Sequence, residues 1–455
     1  MRIGMVTLGC DKNTVDNEYL AGLLAREGVD VVAADKQPGT DGADDTLDGV
    51  LINTCGFIDA AKAESVESIL GWIGHKQRMA GSGRRVRVFV AGCLTQRYRE
   101  ELIAQLPEVD GFMGVGEFDR VLQLLRSPAD ATAPVDLVRE LPAVEVRAPL
   151  PRKELGPVRH YGYLKISDGC NHNCTFCAIP SFKGRLRSVP REIVLAEARL
   201  LLGRGVREIN IVAQDTSDYG RDIYGPDYGI AHLLADLCAL PGDFWLRLFY
   251  FYPGGITPAF IDVMASSPRV ARYLDMPLQH LHPDTLRRMK RPHNGVNTVE
   301  AVARLRDAVP DLALRTTFIV GFPGETSAEF NHLYRGVADL RLRRMGAFIY
   351  SPEEGTPAHD MKPRVRKNTA KDRFDRLMTL QAAISRDMNR AMVGRDIRVL
   401  LEERGDDGRW LARSEADAPD VDGLVYVAHR DGMRAGDFAD VRVTGADTYD
   451  LFAEA

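Results

Sequence analysis

The 455-residue chain has no apolar run near the roughly 20 residues that cross a bilayer. Its opening, MRIGMVTLGC, has neither the basic start nor the long apolar stretch of a secretory signal. A membrane anchor and export are therefore not expected, and the sequence reads as cytoplasmic. Cysteine is scarce and odd in number, seven in all, which argues against a disulfide framework and for metal or thiol chemistry. With 45% hydrophobic and 27% charged residues the composition is that of a globular protein, and the length implies two to four domains.

What is present is order in the cysteines. RIGMVTLGC, GVLINTCGF and VRVFVAGCL are short β-branched runs ending near Cys10, Cys55 and Cys93. Helical patterns follow at about Val15–Arg26, Ala60–Arg78 and Gln96–Gln105. Such alternation predicts a parallel α/β domain over 1–125 with the cysteines at the carboxyl ends of strands, where ligands gather. Residues 126–157 hold Pro128, Pro134, Pro142, Pro149, Pro151 and Pro157 and read as a linker. Over 158–391, YGYLKIS, REINIVAQ, WLRLFYF, RYLDMPL, ALRTTFIVG and MGAFIY alternate with helical patterns, which predicts a partial (β/α)6 barrel. A charged helix over about Lys367–Met392 leads out of it. Residues 392–455 carry IRVLLEE, RWLARSE, LVYVAHR and FADVRVTG between turn-rich segments, the pattern of a small OB-like β-barrel.

The main chemistry sits in YLKISDGCNHNCTFCAIP, where Cys170, Cys174 and Cys177 form C-x3-C-x2-C after the first barrel strand. Thiolates are the soft ligands of iron–sulfur clusters, and three of them leave one iron of a 4Fe–4S cube open. That iron can chelate S-adenosylmethionine (SAM), and a reduced cluster can release a 5′-deoxyadenosyl radical from it. Zinc with His172 as fourth ligand is the rival, but zinc favours paired spacings. Cys10, Cys55 and Cys93 form a second set of three, with zinc or redox sensing as the competing reading. Cys238, in an apolar helical pattern, reads as a small core side chain. Gln214 and Asp215 follow the second barrel strand, Arg247 lies in the third, Gln279 and His280 follow the fourth, and Arg315 begins the fifth. All are candidates for SAM or substrate contact, against ordinary hydrogen-bonding roles. Gly321, Pro323, Gly324 and Glu325 form a turn beside SAM or a strand end, and Trp410 and Tyr426 are recognition aromatics or half-buried core. No catalytic side chain beyond the cluster ligands is assigned.

With both cysteine sets placed, TLGCDKNTVDNE, INTCGF, AGCLTQR, LKISDGCNHNCTFCAIP and RTTFIVGFPGET resemble the radical SAM methylthiotransferase family over nearly the whole chain. The resemblance implies an N-terminal domain with an auxiliary 4Fe–4S cluster on Cys10, Cys55 and Cys93. It also implies a radical SAM core with a 4Fe–4S cluster on Cys170, Cys174 and Cys177, and a C-terminal TRAM domain. The family uses one SAM to methylate sulfur and a second to generate the radical that opens a C–H bond, with an electron donor and a sulfur source as partners. LGCDKNTVDNE and RSEADAPDVDG (Arg413–Gly423, with Asp420 where Glu is usual) resemble the branch that modifies an aspartate of ribosomal protein S-12. The runner-up is the tRNA adenosine branch. The non-enzymatic alternative is a ribosome- or RNA-binding module with structural metal sites. Residues 392–455 contain 8 Arg, no Lys and 15 Asp+Glu, a net of −7 that disfavours RNA and suits a basic protein.

Overall fold

The computed structural model describes residues 1–39, 44–128, 133–140, 149–156, 159–291 and 295–455, with backbone alone over 295–298. Parts of the expected linker (129–132, 141–148 and 157) lie outside the described residues. No helix among the described residues is long and apolar enough to cross a membrane. The chain divides into two compact units. One comprises Met1–Val158, Asp168–His172 and Cys177–Arg187; the other comprises Arg159–Ser167, Asn173–Phe176 and Ser188–Ala455.

The first unit is built on a parallel six-stranded sheet in the order β2-β1-β3-β4-β5-β6. Its strands are β1 (Arg2–Thr7), β2 (Asp30–Ala33), β3 (Gly49–Thr54), β4 (Arg87–Gly92), β5 (Gly111–Met113) and β6 (Val135–Asp136). Every residue of β3 is buried, as expected of a central parallel strand covered on both faces. Val6, Ile52, Trp72, Val90 and Phe112 are among the residues forming the core between the sheet and its helices. Helices Asp11–Arg26 and Asp59–Gly81 follow β1 and β3. After β4 the expected single helix is two pieces, Cys93–Arg97 and Arg99–Gln105, interrupted at Tyr98 (φ −125°, ψ 40°). The proline-bearing stretch packs on the first helix over its described part. Glu18 receives the Arg152 guanidinium (2.9 Å) and the Lys153 N–H (3.0 Å). Gly22 is required there, because a Cβ would lie 2.2 Å from the Pro151 carbonyl oxygen.

In the second unit six parallel strands lie side by side in chain order: Tyr161–Lys165, Glu208–Val212, Trp245–Leu248, Val270–Asp275, Ala313–Val320 and Arg344–Ile349. Leu164, Ile209, Ile211, Leu246, Leu274 and Leu314 pack in the main apolar core of this unit. Alternation along the strands then leaves Tyr163, Asn210 and Arg247, which are register partners, on the opposite face. The last segment closes into a five-stranded barrel around Val399, Leu401, Trp410, Val425 and Val441. Its fifth strand, Leu451–Glu454, pairs parallel with Val425–Val427 and antiparallel with Phe438–Ala446.

The segment Ser414–Asp422 fastens this small barrel to the amino-terminal ends of the larger barrel's strands. Glu208, fully buried, accepts from Arg247 (2.9 Å) and from Arg413 (2.9 and 3.0 Å). Arg247 also donates to the carbonyls of Glu415 (2.6 Å) and Ser414 (3.2 Å). Asp417 pairs with Arg344, Asp420 accepts from the Tyr161 hydroxyl (3.0 Å), and Asp422 accepts from the Tyr273 hydroxyl (2.8 Å).

Burial alone would push the Glu208 carboxyl up, but the guanidinium groups of Arg247 and Arg413 win and hold it below the usual range. A carboxylate depressed in the fold adds stability above the unfolded pKa, and this is lost as pH falls through the folded value. Glu208→Gln removes the carboxylate that pairs with Arg247 and leaves Arg413 to Glu402 (2.7 Å), and should destabilise this unit by about 3–5 kcal/mol near neutral pH. The loss should shrink on acidification, which denaturant unfolding across the acid range would check.

Candidate functional site

Parallel pairing brings Cys10, Cys55 and Cys93 to one edge of the first sheet. β1, β3 and β4 are neighbours, and the strand order reverses between β1 and β3, which opens a crevice at their carboxyl ends. Cys10 caps the first helix, Cys55 directly follows β3, and Cys93 opens the short helix after β4. Gly9, at φ +95°, clears the space between them: a Cβ there would lie 2.7 Å from Cys55 Cβ and 3.0 Å from its Sγ. The buried Asn13 amide donates to the carbonyls of Leu8 (2.8 Å) and Thr54 (3.1 Å), and its Oδ1 lies 3.9 Å from Cys93 Sγ. One side chain thus ties two cysteine loops together and reaches the third. Ser65 Oγ accepts from the Cys55 N–H and donates to the Cys55 carbonyl, both at 3.0 Å.

Burial pushes the Cys93 thiol up to about 12, with Lys183 opposing the rise and Cys10 and Cys55 adding to it. The Cys55 thiol is raised by burial too, and Cys10 adds to that rise. The three sulfurs are therefore within electrostatic reach of one another, and none is in a disulfide. Three soft donors around space kept open by glycine suit a thiolate-held cluster, whose iron would stabilise the thiolate form.

The C-x3-C-x2-C loop is anchored by its backbone. In the first unit, Gly169 (φ +77°) runs so close to Arg185 that a Cβ would lie 2.1 Å from its carbonyl oxygen. Cys170 N–H donates to Gly184 O (3.1 Å), and His172 N–H points at Cys170 Sγ (3.4 Å). In the second unit Thr175 is a buried peg. Its N–H donates to Met289 O (3.0 Å), its hydroxyl to Arg288 O (2.9 Å), and its carbonyl accepts from Ala358 N–H (2.8 Å). Arg291, stacked on Tyr252 at 4.1 Å, has a guanidinium nitrogen 3.9 Å from Cys174 Sγ.

The barrel candidates divide by end. Gln214 and Asp215 follow the second strand at its carboxyl end, where Asp215 accepts from the Ser217 N–H (2.8 Å) and hydroxyl (2.7 Å). Gln279, at φ +69°, donates its N–H to Thr317 O and accepts from Ile319 N–H, both at 2.8 Å. The buried His280 accepts at Nδ1 from His282 N–H (2.9 Å) and turns Nε2 toward Glu325 at 3.5 Å. Burial lowers the His280 pKa. Glu325 is also held by Arg373 (3.0 Å), so the Gly321–Glu325 turn is fixed to helix Lys367–Arg390. Arg247 and Arg315 have charged protein partners. Arg247 lies in the Glu208 network, and Arg315 pairs with Asp275 (2.9 Å) and sits 3.6 Å from Asp422. In the small barrel Trp410 is core, whereas Tyr426 stacks half-exposed on Phe452 at 5.6 Å under Arg409. Sequence reasoning did not single out Asn13, Thr175, Lys183, Arg291 or Arg373, because only burial separates them from surface polar residues.

Comparison with known proteins bears on the whole chain. Residues 2–114 match Uncharacterized protein family UPF0004, 164–336 the Radical SAM superfamily and 393–455 the TRAM domain. The ribosomal protein uS12 methylthiotransferase RimO of Desulforudis audaxviator is 42% identical over 454 residues, covering 99% of this chain and 96% of that one. The RimO of Chloroflexus aurantiacus is 43% identical over 473 residues, covering both chains fully. The chain belongs to the RimO family. RimO proteins are radical SAM methylthiotransferases, so the enzyme class and the need for SAM and a 4Fe–4S cluster follow. The expected fold class is also borne out. A solved radical SAM methyltransferase, TsrM of Kitasatospora setae, with cobalamin and a 4Fe-4S cluster bound, superposes with TM-score 0.55 at 16% identity, over 79% of this chain and 77% of that one. That likeness concerns the fold alone.

Two expectations follow for this RimO-family chain. Gly9→Ala should lower the iron and sulfide bound after anaerobic reconstitution, because the added methyl group meets Cys55; elemental analysis reads this directly. Arg247→Lys should lower the unfolding temperature, because an ammonium cannot serve Glu208 and the carbonyls of Ser414 and Glu415 together.

Proposed function

We propose that this RimO-family enzyme works in the cytoplasm and inserts a methylthio group at the β-carbon of an aspartate in ribosomal protein S-12 (uS12). The observation that carries the reading is the gathering of Cys10, Cys55 and Cys93 at one sheet edge, a three-thiol set additional to C-x3-C-x2-C. Two sets suit two 4Fe–4S clusters, an auxiliary one on Cys10, Cys55 and Cys93 and a radical SAM one on Cys170, Cys174 and Cys177. Three thiolates per cube leave an iron of each without a protein ligand. When bound, the clusters supply the electron that cleaves SAM and a site for the sulfur that is methylated and transferred.

The chain's own residues prepare these sites. Gly9 keeps room beside Cys55, Asn13 and Ser65 fix the loops that carry the first set, and Thr175 pegs the loop that carries the second. Gln214, Asp215 and Gln279, at carboxyl strand ends, are in place to contact SAM or substrate. We assign 1–125 to the auxiliary-cluster domain, 158–391 to the radical SAM core and 392–455 to the TRAM domain, with an external electron donor and sulfur source. The acidic last domain favours a basic protein partner over RNA.

The test offers the reconstituted enzyme, with SAM, reductant and sulfide, ribosomal protein S-12 and unmodified tRNA separately, followed by mass spectrometry. A methylthio gain on an S-12 aspartate is expected, and gain on tRNA adenosine alone would overturn the substrate. Cys174→Ala should abolish 5′-deoxyadenosine formation. Cys55→Ala should still cleave SAM but give no methylthiolated product.

A further inference from the structure

Lys183 is the most deeply buried lysine among the described residues, at 3% exposure, and no step above uses it. It ends the short helix Ile179–Lys183 that follows Cys177, and this helix packs on the first unit's own cysteine. Phe182, Ala178 and Val115 share one apolar cluster with Cys93. The Lys183 ammonium lies 3.3 Å from Asp168 Oδ2 and 3.8 Å from Asp16 Oδ2. Asp168 is two residues before Cys170, and Asp16 is on the helix that Cys10 caps.

Burial disfavours the ammonium, and the carboxylates of Asp168 and Asp16 beside it oppose that effect. Lys12 is the cation that acts on Cys55. A buried cation beside a site that gains an electron stabilises the reduced form, because Coulomb energies are large where water is excluded. Lys183 is held between two carboxylates, each carried by a different cysteine-bearing segment.

We infer that Lys183 is a positioning residue for the auxiliary cluster: its buried ammonium, on the helix packed against Cys93 and beside Asp16 of the helix that Cys10 caps, raises the cluster's midpoint potential. The inference rests on the two-cluster reading above. Full-length chain is reconstituted anaerobically, and iron and sulfide are counted first. Iron for one cluster only in the otherwise unmodified chain would end the two-cluster reading, independently of Lys183. The potential is then measured by EPR-monitored titration in a Cys174→Ala/Cys177→Ala background, where the first-unit cluster is titrated alone.

Lys183→Met should shift the reduced-to-oxidised ratio at fixed potential by about tenfold toward oxidised, a fall of about 59 mV for one electron. Lys183→Arg should restore most of it, and Asp16→Asn should shift the potential the opposite way. An unchanged potential in a cluster-loaded Lys183→Met chain would overturn the proposal. Where Lys183→Met does not take up the cluster, an unchanged or lowered potential in Asp16→Asn does the same.

Discussion

Parallel pairing gives every strand the same direction, so whatever follows each strand is delivered to a common edge. The first unit uses this for its thiols. β1, β3 and β4 are register neighbours, and the residues after them carry Cys10, Cys55 and Cys93. Residues distant in sequence are brought together without any local motif. The cost is that thiols crowded out of water resist ionisation, and burial pushes the Cys93 thiol up. The surrounding polar groups answer that cost: Asn13 braces the loops, and Lys183 opposes the build-up of negative charge.

The second unit applies the same geometry with two distinct ends. At the carboxyl ends of the strands lie Gln214, Asp215, Gln279 and the turn held by Glu325. The small barrel meets Glu208 and Arg344, the first residues of their strands, and also Arg247 and Arg315. The net charge of −7 over 392–455 is therefore not all surface charge. Asp417 and Asp422 face inward against guanidinium groups and a tyrosine hydroxyl. The electrostatic case for a basic partner rests on the remaining exposed carboxylates.

Much of this architecture was legible because its signals are local. Strand–cysteine repeats, alternating barrel units, turn-spaced terminal strands and C-x3-C-x2-C each lie within short windows. β2, β5, β6 and Leu451–Glu454 were missed because strands of two to four residues leave little periodicity to read. The break at Tyr98 has no Gly or Pro to announce it. The partners of Arg247 and Arg315 were not legible, because strand position is visible in sequence but what a side chain meets is not. Arg247 pairs with Glu208 and also meets Ser414, 167 residues away; Arg315 pairs with Asp275 and lies 3.6 Å from Asp422, 107 residues away. Lys183 escaped notice for the same reason, since its burial depends on Asp16, Asp168 and Cys93.

The helix after Cys177 has a consequence for how such chains can be taken apart. Similarity to the Radical SAM superfamily begins at residue 164, yet 168–172 and 177–187 fold with the unit that starts at Met1. Inheritance and folding therefore draw different borders. A fragment cut in the proline-bearing stretch would leave the Cys93 wall without Phe182 and the Asp16 carboxylate without its cation. Exchange of the first domain between relatives, by recombination or by design, has to carry this downstream segment with it. The unit that carries Cys10, Cys55 and Cys93 thus also carries Cys170 and Cys177.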